Sequence, residues 1–411
     1  MVLPNFETLL QKYAHLIAKV GGNVQKNDTV VVYASVEQAA LARLVTKEAY
    51  QLGAAEVIVQ WNDDTIQREF LSHASDERIT TVPAYKIDEA NTFAKNRVTR
   101  ISIVSQDPDA LAGVDTKRVA SFQAARGKAL QAVMEATQSN KLRWTVVAAA
   151  SPAWAQKVFP NTSSEKQVDQ LWDEIFKTTR IYHDDPVQAW AEHDAAMRNQ
   201  AERLNKEQFS ALHYTAPGTD IVIGLPDNHI WEGAGSFAAD GNEFMANMPT
   251  EEVFTAPDRN RVDGYITSTK PLSYAGTTLT EMKFTFKHGQ VVEFSAKNGT
   301  DVLASLLDID EGAKHLGEVA LVPDPSPISQ SGITFFNTLF DENASNHLAL
   351  GAAYPFSVEG GTEMTKAELA TAGLNSSQTH VDFMVGSDQM SIDGIRKDGS
   401  KVPIFRNGDW A

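Results

Sequence analysis

Residues 29–61, "TVVVYASVEQAALARLVTKEAYQLGAAEVIVQW", decide the fold class of the first half of the chain. "TVVVYA" (29–34) reads as a buried strand. Ser35 and Gln38 have the spacing of a helix-start capping pair. Ala39, Leu41, Leu44, Val45, Ala49 and Leu52 then recur at helical intervals up to Gly53, where glycine ends the helix. "EVIVQW" (56–61) is the next strand. A strand, a helix and a second strand at this spacing imply a parallel crossover. Working outward, "RISIVS" (100–105) and "WTVVAAA" (144–150) read as further buried strands, separated by a helix over roughly 116–139. No glycine-rich phosphate loop follows any of these strands, so a nucleotide site has no support. At the start of the chain, Phe6, Leu9, Leu10, Tyr13, Leu16, Ile17 and Val20 predict an amphipathic helix ending at Gly21 and Gly22, and not a secretion signal.

Residues 163–180 and 186–205 predict two amphipathic helices that join the halves. From about 207 the pattern becomes β. "TDIVIGL" (219–225) is a strand, and residues 281–296 form a hairpin around His288-Gly289. Residues 388–405 form another around Asp398-Gly399. Helices intervene near 300–315 and 333–341. The expected architecture is an α/β N-terminal domain with a largely parallel sheet over 1–185, and a mixed α+β C-terminal catalytic domain over 186–411. A chain of 411 residues exceeds what one hydrophobic core usually supports.

A net charge of −17 disfavours nucleic-acid partners. The chain has no cysteine, which excludes disulfides and thiolate metal sites. No stretch approaches the roughly 18 apolar residues of a membrane span. A cytoplasmic protein is the expectation.

The polar residues that look out of place lie in the second half. In "THVDFMVGS" (379–387), His380 and Asp382 share one face of a strand while Val381 and Phe383 take the other. "NMPTEEVFTAP" (247–257) places Glu251 and Glu252 between prolines. "HLGEVALVPDP" (315–325) places Glu318 at the head of an apolar strand. "NHLALGAAYP" (346–355) carries His347 and Tyr354. Taken singly, each has a plain alternative: a solvated glutamate, a hydrogen-bonded structural histidine, a packed tyrosine. The same holds for Phe335-Phe336 and for residues 236–240, which read as core or as the wall of a pocket. The joint occurrence is the signal.

Those four motifs, in that order, resemble the thermophilic-type metalloaminopeptidases, the family of aminopeptidase T and aminopeptidase S, over essentially the whole length. The resemblance implies two metal ions held by Glu252, Glu318, His347, Tyr354, His380 and Asp382. It also implies a homodimer with active sites facing an internal cavity. Of the adjacent glutamates, Glu252 is the expected ligand. Glu251 is left as a candidate for binding the free α-amine or for acid–base work.

The chemistry of such a set is coherent. Six ligands exceed the needs of one tetrahedral zinc with an open position, and suit two ions sharing carboxylates. Two such ions about 3.5–4 Å apart acidify a bridging water and polarise a scissile carbonyl. Imidazole and oxygen ligands admit zinc, cobalt, manganese or magnesium. The reading is a two-metal aminopeptidase acting through a metal-bound water on peptides with a free N-terminus. Its competitors are another two-metal hydrolase, such as an amidase or a phosphoesterase, and a non-catalytic metal- or peptide-binding protein.

Overall fold

Four of the predicted apolar runs form one parallel sheet in the computed structural model, which describes residues 3–411 apart from 106, 108 and 276. The chain divides into two units: Met1–Glu192 with Gly235–Pro249, and His193–Ala234 with Thr250–Ala411.

In the first unit, strand Thr29–Ser35 lies between strands Glu56–Asn62 and Thr99–Val104, parallel to both. Its Val30, Val31, Val32 and Ala34 are fully buried, which is why that run is continuously apolar. Strand Trp144–Ala148 follows on the far side of Thr99–Val104. A two-residue strand, Asn247–Met248, completes the sheet in parallel beside it. No periodicity announces a strand of that length. The N-terminal helix Phe6–Leu16 runs on as a π-helical turn, Ile17–Gly21. A Cβ on Gly21 would lie 2.9 Å from the Thr145 hydroxyl oxygen, so the residue there must be small.

The long helix expected over 116–139 is two helices, Thr116–Ala129 and Gln131–Gln138, broken at Leu130. The first buries no residue. The second buries Val133 and Ala136 in a cluster with Val31, Phe93 and Leu142. The first is anchored elsewhere: its Val119 and Phe122 pack against Leu71, Ile79 and Val114, and Arg118 donates to the Leu71 carbonyl, so the two helices follow different neighbours. The helix expected near 333–341 is confined to Thr338–Asp341 and passes into a 3-10 turn, Glu342–Ala344. Asn337 caps it by accepting the Leu339 N–H, and the Asp341 carboxylate takes the Phe335 and Asn337 N–H groups. These bonds hold the preceding residues outside the helix.

In the second unit two antiparallel sheets share one hydrophobic core. The larger has eight strands, including the predicted hairpins Lys283–Lys287 with Gln290–Ser295 and Ser391–Ile395 with Lys401–Arg406. The smaller runs in the order His380–Met384, His347–Gly351, Leu316–Leu321, Val253–Thr255, Glu232–Gly233. Val319, Leu321, Leu348, Leu350, Val381 and Phe383 of this smaller sheet belong to the shared core. Alternation then turns Glu318, His347, His380 and Asp382 to the other face. Among the described residues, no helix is long and apolar enough to cross a membrane.

Candidate metal centre

Strand register brings the polar residues together. Glu318 lies opposite Ala349, and Ala349 opposite Asp382. Two carboxylates therefore flank a methyl group on one face of three neighbouring strands. His347 begins the middle strand and shares that face with Ala349, two residues on. His380 shares it with Asp382 on the outer strand. Glu252 directly precedes strand Val253–Thr255, on the other side of Leu316–Leu321.

The resulting contacts form a chain. His347 Nε2 lies 3.1 Å from Glu252 Oε2 and 3.5 Å from Glu318 Oε1. His380 Nε2 lies 3.5 Å from Glu318 Oε2 and 3.4 Å from Asp382 Oδ1. Glu318 thus offers one oxygen to each imidazole. Donor atoms of Glu252, Glu318 and His347 lie within 4.8 Å of one another, and so do those of Glu318, His380 and Asp382.

The donor set fits metal ions. Nδ1 of His347 lies 3.1 Å from the Ser345 carbonyl and Nδ1 of His380 lies 2.7 Å from the Ala352 carbonyl. A carbonyl only accepts, so each Nδ1 carries a proton and donates it. In the neutral ring the Nε2 lone pair then points at the carboxylates. A lone pair and a carboxylate repel unless a proton or a cation lies between them. Asp382 Oδ1 is buried and has no hydrogen-bond partner, as expected of an oxygen reserved for a cation.

Electrostatics agree. Burial would raise the Glu318 carboxyl, but hydrogen bonds and charge from both histidines outweigh it and hold the group at about 2. Burial would lower both imidazoles, yet both are raised well above 6.5, His347 by Glu252 and Glu318, His380 by Tyr354, Asp382 and Glu318. Burial raises Glu252, helped by Glu318 and Asp382 and opposed by His347. The Tyr354 phenol is lowered by His380, but burial and the charges of Glu318, Asp382 and Glu342 outweigh this and raise it. The Tyr354 ring centroid lies 5.1 Å from that of His380 and stacks on Phe356.

The two adjacent glutamates diverge. Glu252 faces His347, whereas Glu251 Oε2 lies 3.5 Å from His193 Nε2. The Glu251 N–H donates to the Asn343 side-chain oxygen at 2.8 Å. Asn343 also donates to the Leu339 carbonyl, so it ties the glutamate segment to the helix Thr338–Asp341.

Two contributors escape a reading of sequence. Glu342, 8% exposed, is raised well above its ordinary value by burial and by the nearby charges of Asp382, Glu252 and Glu318. It sits in the polar run "DENASN" (341–346), which looks like a solvated loop. Its nearness to the histidine motif is the only local signal. Ala349 is fully buried, and its small side chain keeps open the space between Glu318 and Asp382.

Two predictions follow from this geometry. Ala349→Leu fills that space while leaving every donor residue in place. Metal affinity should fall by roughly 10- to 100-fold, the size of effect of neighbouring positioning groups, while fold and secondary structure persist; unchanged affinity in a metal titration would show that the space is not needed. The second concerns pH. Groups raised on folding, here both histidines, contribute stability that is present below their ordinary value of 6.5 and lost as pH rises through their folded-state values. Glu318, held at about 2, contributes stability that is present above 4.5 and lost as pH falls toward 2. A metal ion replaces the imidazole protons, so its stabilisation grows with pH. Melting curves with chelator and with divalent metal, from about pH 6 to about pH 9, should diverge as pH rises. A constant or narrowing gap would contradict the arrangement.

Comparison with known proteins places this chain in a family. A profile described as thermophilic metalloprotease (M29) matches residues 6–410. Aminopeptidase PepS of Streptococcus thermophilus is 59% identical over 100% of both chains. Aminopeptidase AmpS of Bacillus subtilis (strain 168) is 51% identical, again over 100% of both. The solved structure titled wild-type AmpT from Thermus thermophilus superposes with a TM-score of 0.93 at 38% identity, covering 99% of this chain and 100% of that one. The resemblance read from the four motifs therefore holds along the whole sequence, and the chain belongs to the thermophilic metalloprotease (M29) family.

Proposed function

We propose that this chain is a two-metal aminopeptidase that removes N-terminal residues from peptides. The observation that carries the two-metal reading is Glu318, whose two oxygens face different histidines and which belongs to both donor groups. Glu252, Glu318 and His347 would hold one ion, and Glu318, His380 and Asp382 the other, with the Tyr354 phenol beside His380. When bound, two divalent ions (zinc, cobalt, manganese or magnesium) supply Lewis-acid polarisation of the scissile carbonyl and a water acidified toward neutrality. The exopeptidase reading is supported by the names of full-length relatives, all aminopeptidases. The homodimer and the cytoplasmic setting are carried by family resemblance.

The protein's own groups have separable tasks. The Ser345 and Ala352 carbonyls fix both imidazoles in one tautomer and orientation. Glu342, buried among the ligand carboxylates, is placed to take a proton from the attacking water and pass it to the leaving amine. Burial raises this carboxyl's affinity for protons, the direction that proton abstraction requires. Glu251, turned toward His193, is the second acidic group proposed for the free α-amine or for proton transfer.

Two experiments test this reading. A short peptide and its N-acetylated twin are compared with and without chelator. Only the free peptide should be cut, one residue at a time from its N-terminus, and chelation should stop the reaction; equal cleavage of both, or interior cuts, would leave a general amidase or an endopeptidase. In the second, Glu342→Gln should lower kcat by roughly 10²- to 10⁴-fold, as for loss of a general acid–base group, with metal content retained. Parental kcat would exclude Glu342 from proton transfer and leave Glu251→Gln as the variant to lose it.

A further inference from the structure

The peptide group that joins Thr250 to Glu251 is gripped at both ends. Its carbonyl oxygen lies 2.8 Å from His193 Nε2, and its N–H donates to the Asn343 side-chain oxygen at 2.8 Å. A carbonyl only accepts, so His193 Nε2 carries a proton and donates it. Glu251 Oε2 stands further from the same nitrogen, at 3.5 Å, so the carbonyl takes the imidazole hydrogen. The two gripping side chains come from 57 and 92 positions away along the chain. We propose that His193 is a positioning residue of the metal centre: with Asn343 it sets the place of Glu252, and so the affinity of the Glu252–Glu318–His347 group for its ion. The assignment rests on the reading of Glu252 as a ligand given above.

A peptide group is planar and rigid, and it includes the Cα atoms at both of its ends. Holding its oxygen and its N–H therefore fixes the Glu251 Cα. The Glu252 Cα follows one peptide further on, about 3.8 Å away. Immediately beyond, Val253 enters the sheet opposite Leu321. Glu252 is thus held from both sides, by strand pairing after it and by the grip before it. The route of the chain makes the grip necessary. Gly235–Pro249 belongs to the first unit, so Thr250 is where the chain re-enters the second. Support for Glu252 from within its own unit therefore starts at this peptide group.

Both gripping side chains stand on fixed supports. His193 lies on the helix Pro186–Glu207, one turn before Met197 and two before Ala201, so the three share a helix face. Met197, Ala201 and Leu204 belong to the same core cluster as Val253. The face that anchors the helix in the core thus also carries the imidazole to the segment leading into strand Val253–Thr255. Asn343 is fully buried, and its amide nitrogen donates to the Leu339 carbonyl at 3.1 Å, which leaves its oxygen for Glu251. The His193 side chain keeps 14% exposure. An uncharged polar replacement there buries no new charge, and the core contacts of Met197, Ala201 and Leu204 keep the helix in place.

The test compares His193→Gln with His193→Asn in the whole chain. Glutamine carries an amide N–H near the place of Nε2. Asparagine is one methylene shorter and does not reach the carbonyl from the same backbone position. Both lose the imidazole, so a defect that comes from its bulk alone is common to the two. Cobalt(II) is titrated into the metal-free proteins, with binding read by calorimetry and by elemental analysis after dialysis. The parent should take up two ions. In His193→Asn one ion should bind about 10- to 100-fold more weakly, the scale for loss of a group that orients a ligand, while the other stays within about threefold of the parent. His193→Gln should return the weakened ion to within about threefold of parental affinity. Melting curves without metal check that both variants fold, and His193→Ala takes the place of His193→Asn if that one does not. Parental affinity for both ions in the variant lacking the donor, equal weakening of both ions, or equal defects with and without the glutamine donor would each overturn the assignment. Glu252→Ala, titrated in parallel, separates the two readings. If it loses an ion while His193→Asn keeps both at parental affinity, the positioning role alone fails. If Glu252→Ala itself binds both ions as the parent does, Glu252 is not a ligand and the positioning role falls with that reading.

Discussion

Carboxylates withdrawn from water must meet positive charge, and this constraint governs the second unit. Glu252, Glu318, Glu342 and Asp382 are all buried, and their nearby cationic groups are the two imidazoles. Two like charges 4 Å apart repel by about 4 kcal/mol at an effective dielectric constant of about 20. Several such pairs in one site are not sustained by protons on two histidines alone. Burial and neighbouring charge raise the proton affinity of Glu252, Glu342 and both imidazoles, so a cation bound among them would compete with protons.

The antiparallel sheet makes that concentration of charge affordable. One face of strands Leu316–Leu321, His347–Gly351 and His380–Met384 contributes to a continuous apolar core. The other face, on the same rigid strands, carries the donors. Packing on the first face therefore fixes positions on the second, and a slip of register by one residue would exchange core and site. Glycine permits the close approach of the two histidine strands where Gly351 lies opposite His380. Gly351 has φ +111°, and a Cβ there would lie 2.1 Å from the Thr379 carbonyl oxygen. The Ala352 carbonyl, next in the chain, accepts from His380 Nδ1.

Much of this was legible in the sequence because it is local. The two-residue period of "THVDFMVGS" separates His380 and Asp382 from Val381 and Phe383 without knowledge of the fold. The parallel strands of the first unit announce themselves as continuous valine-rich runs. What escaped depends on distant contacts. Strand Asn247–Met248 is too short for any period and exists through its pairing with Val146 and Val147. Glu342 becomes buried only because its 3-10 turn packs beside the donor strands. The importance of Ala349 follows from its register between Glu318 and Asp382, which a single strand does not reveal. The preference for Glu252 over Glu251 came from family resemblance, and the divergence of the pair depends on Asn343 and His193, both far away in sequence.

The central claim is that Glu318 joins two cation sites on one face of one sheet. Elemental analysis of the metal-saturated protein, paired with anomalous diffraction above and below the metal edge, measures this directly. The account predicts two ions per chain, one contacting Glu252, Glu318 and His347 and the other Glu318, His380 and Asp382. A single ion at saturation, or two ions that do not share Glu318, would contradict it.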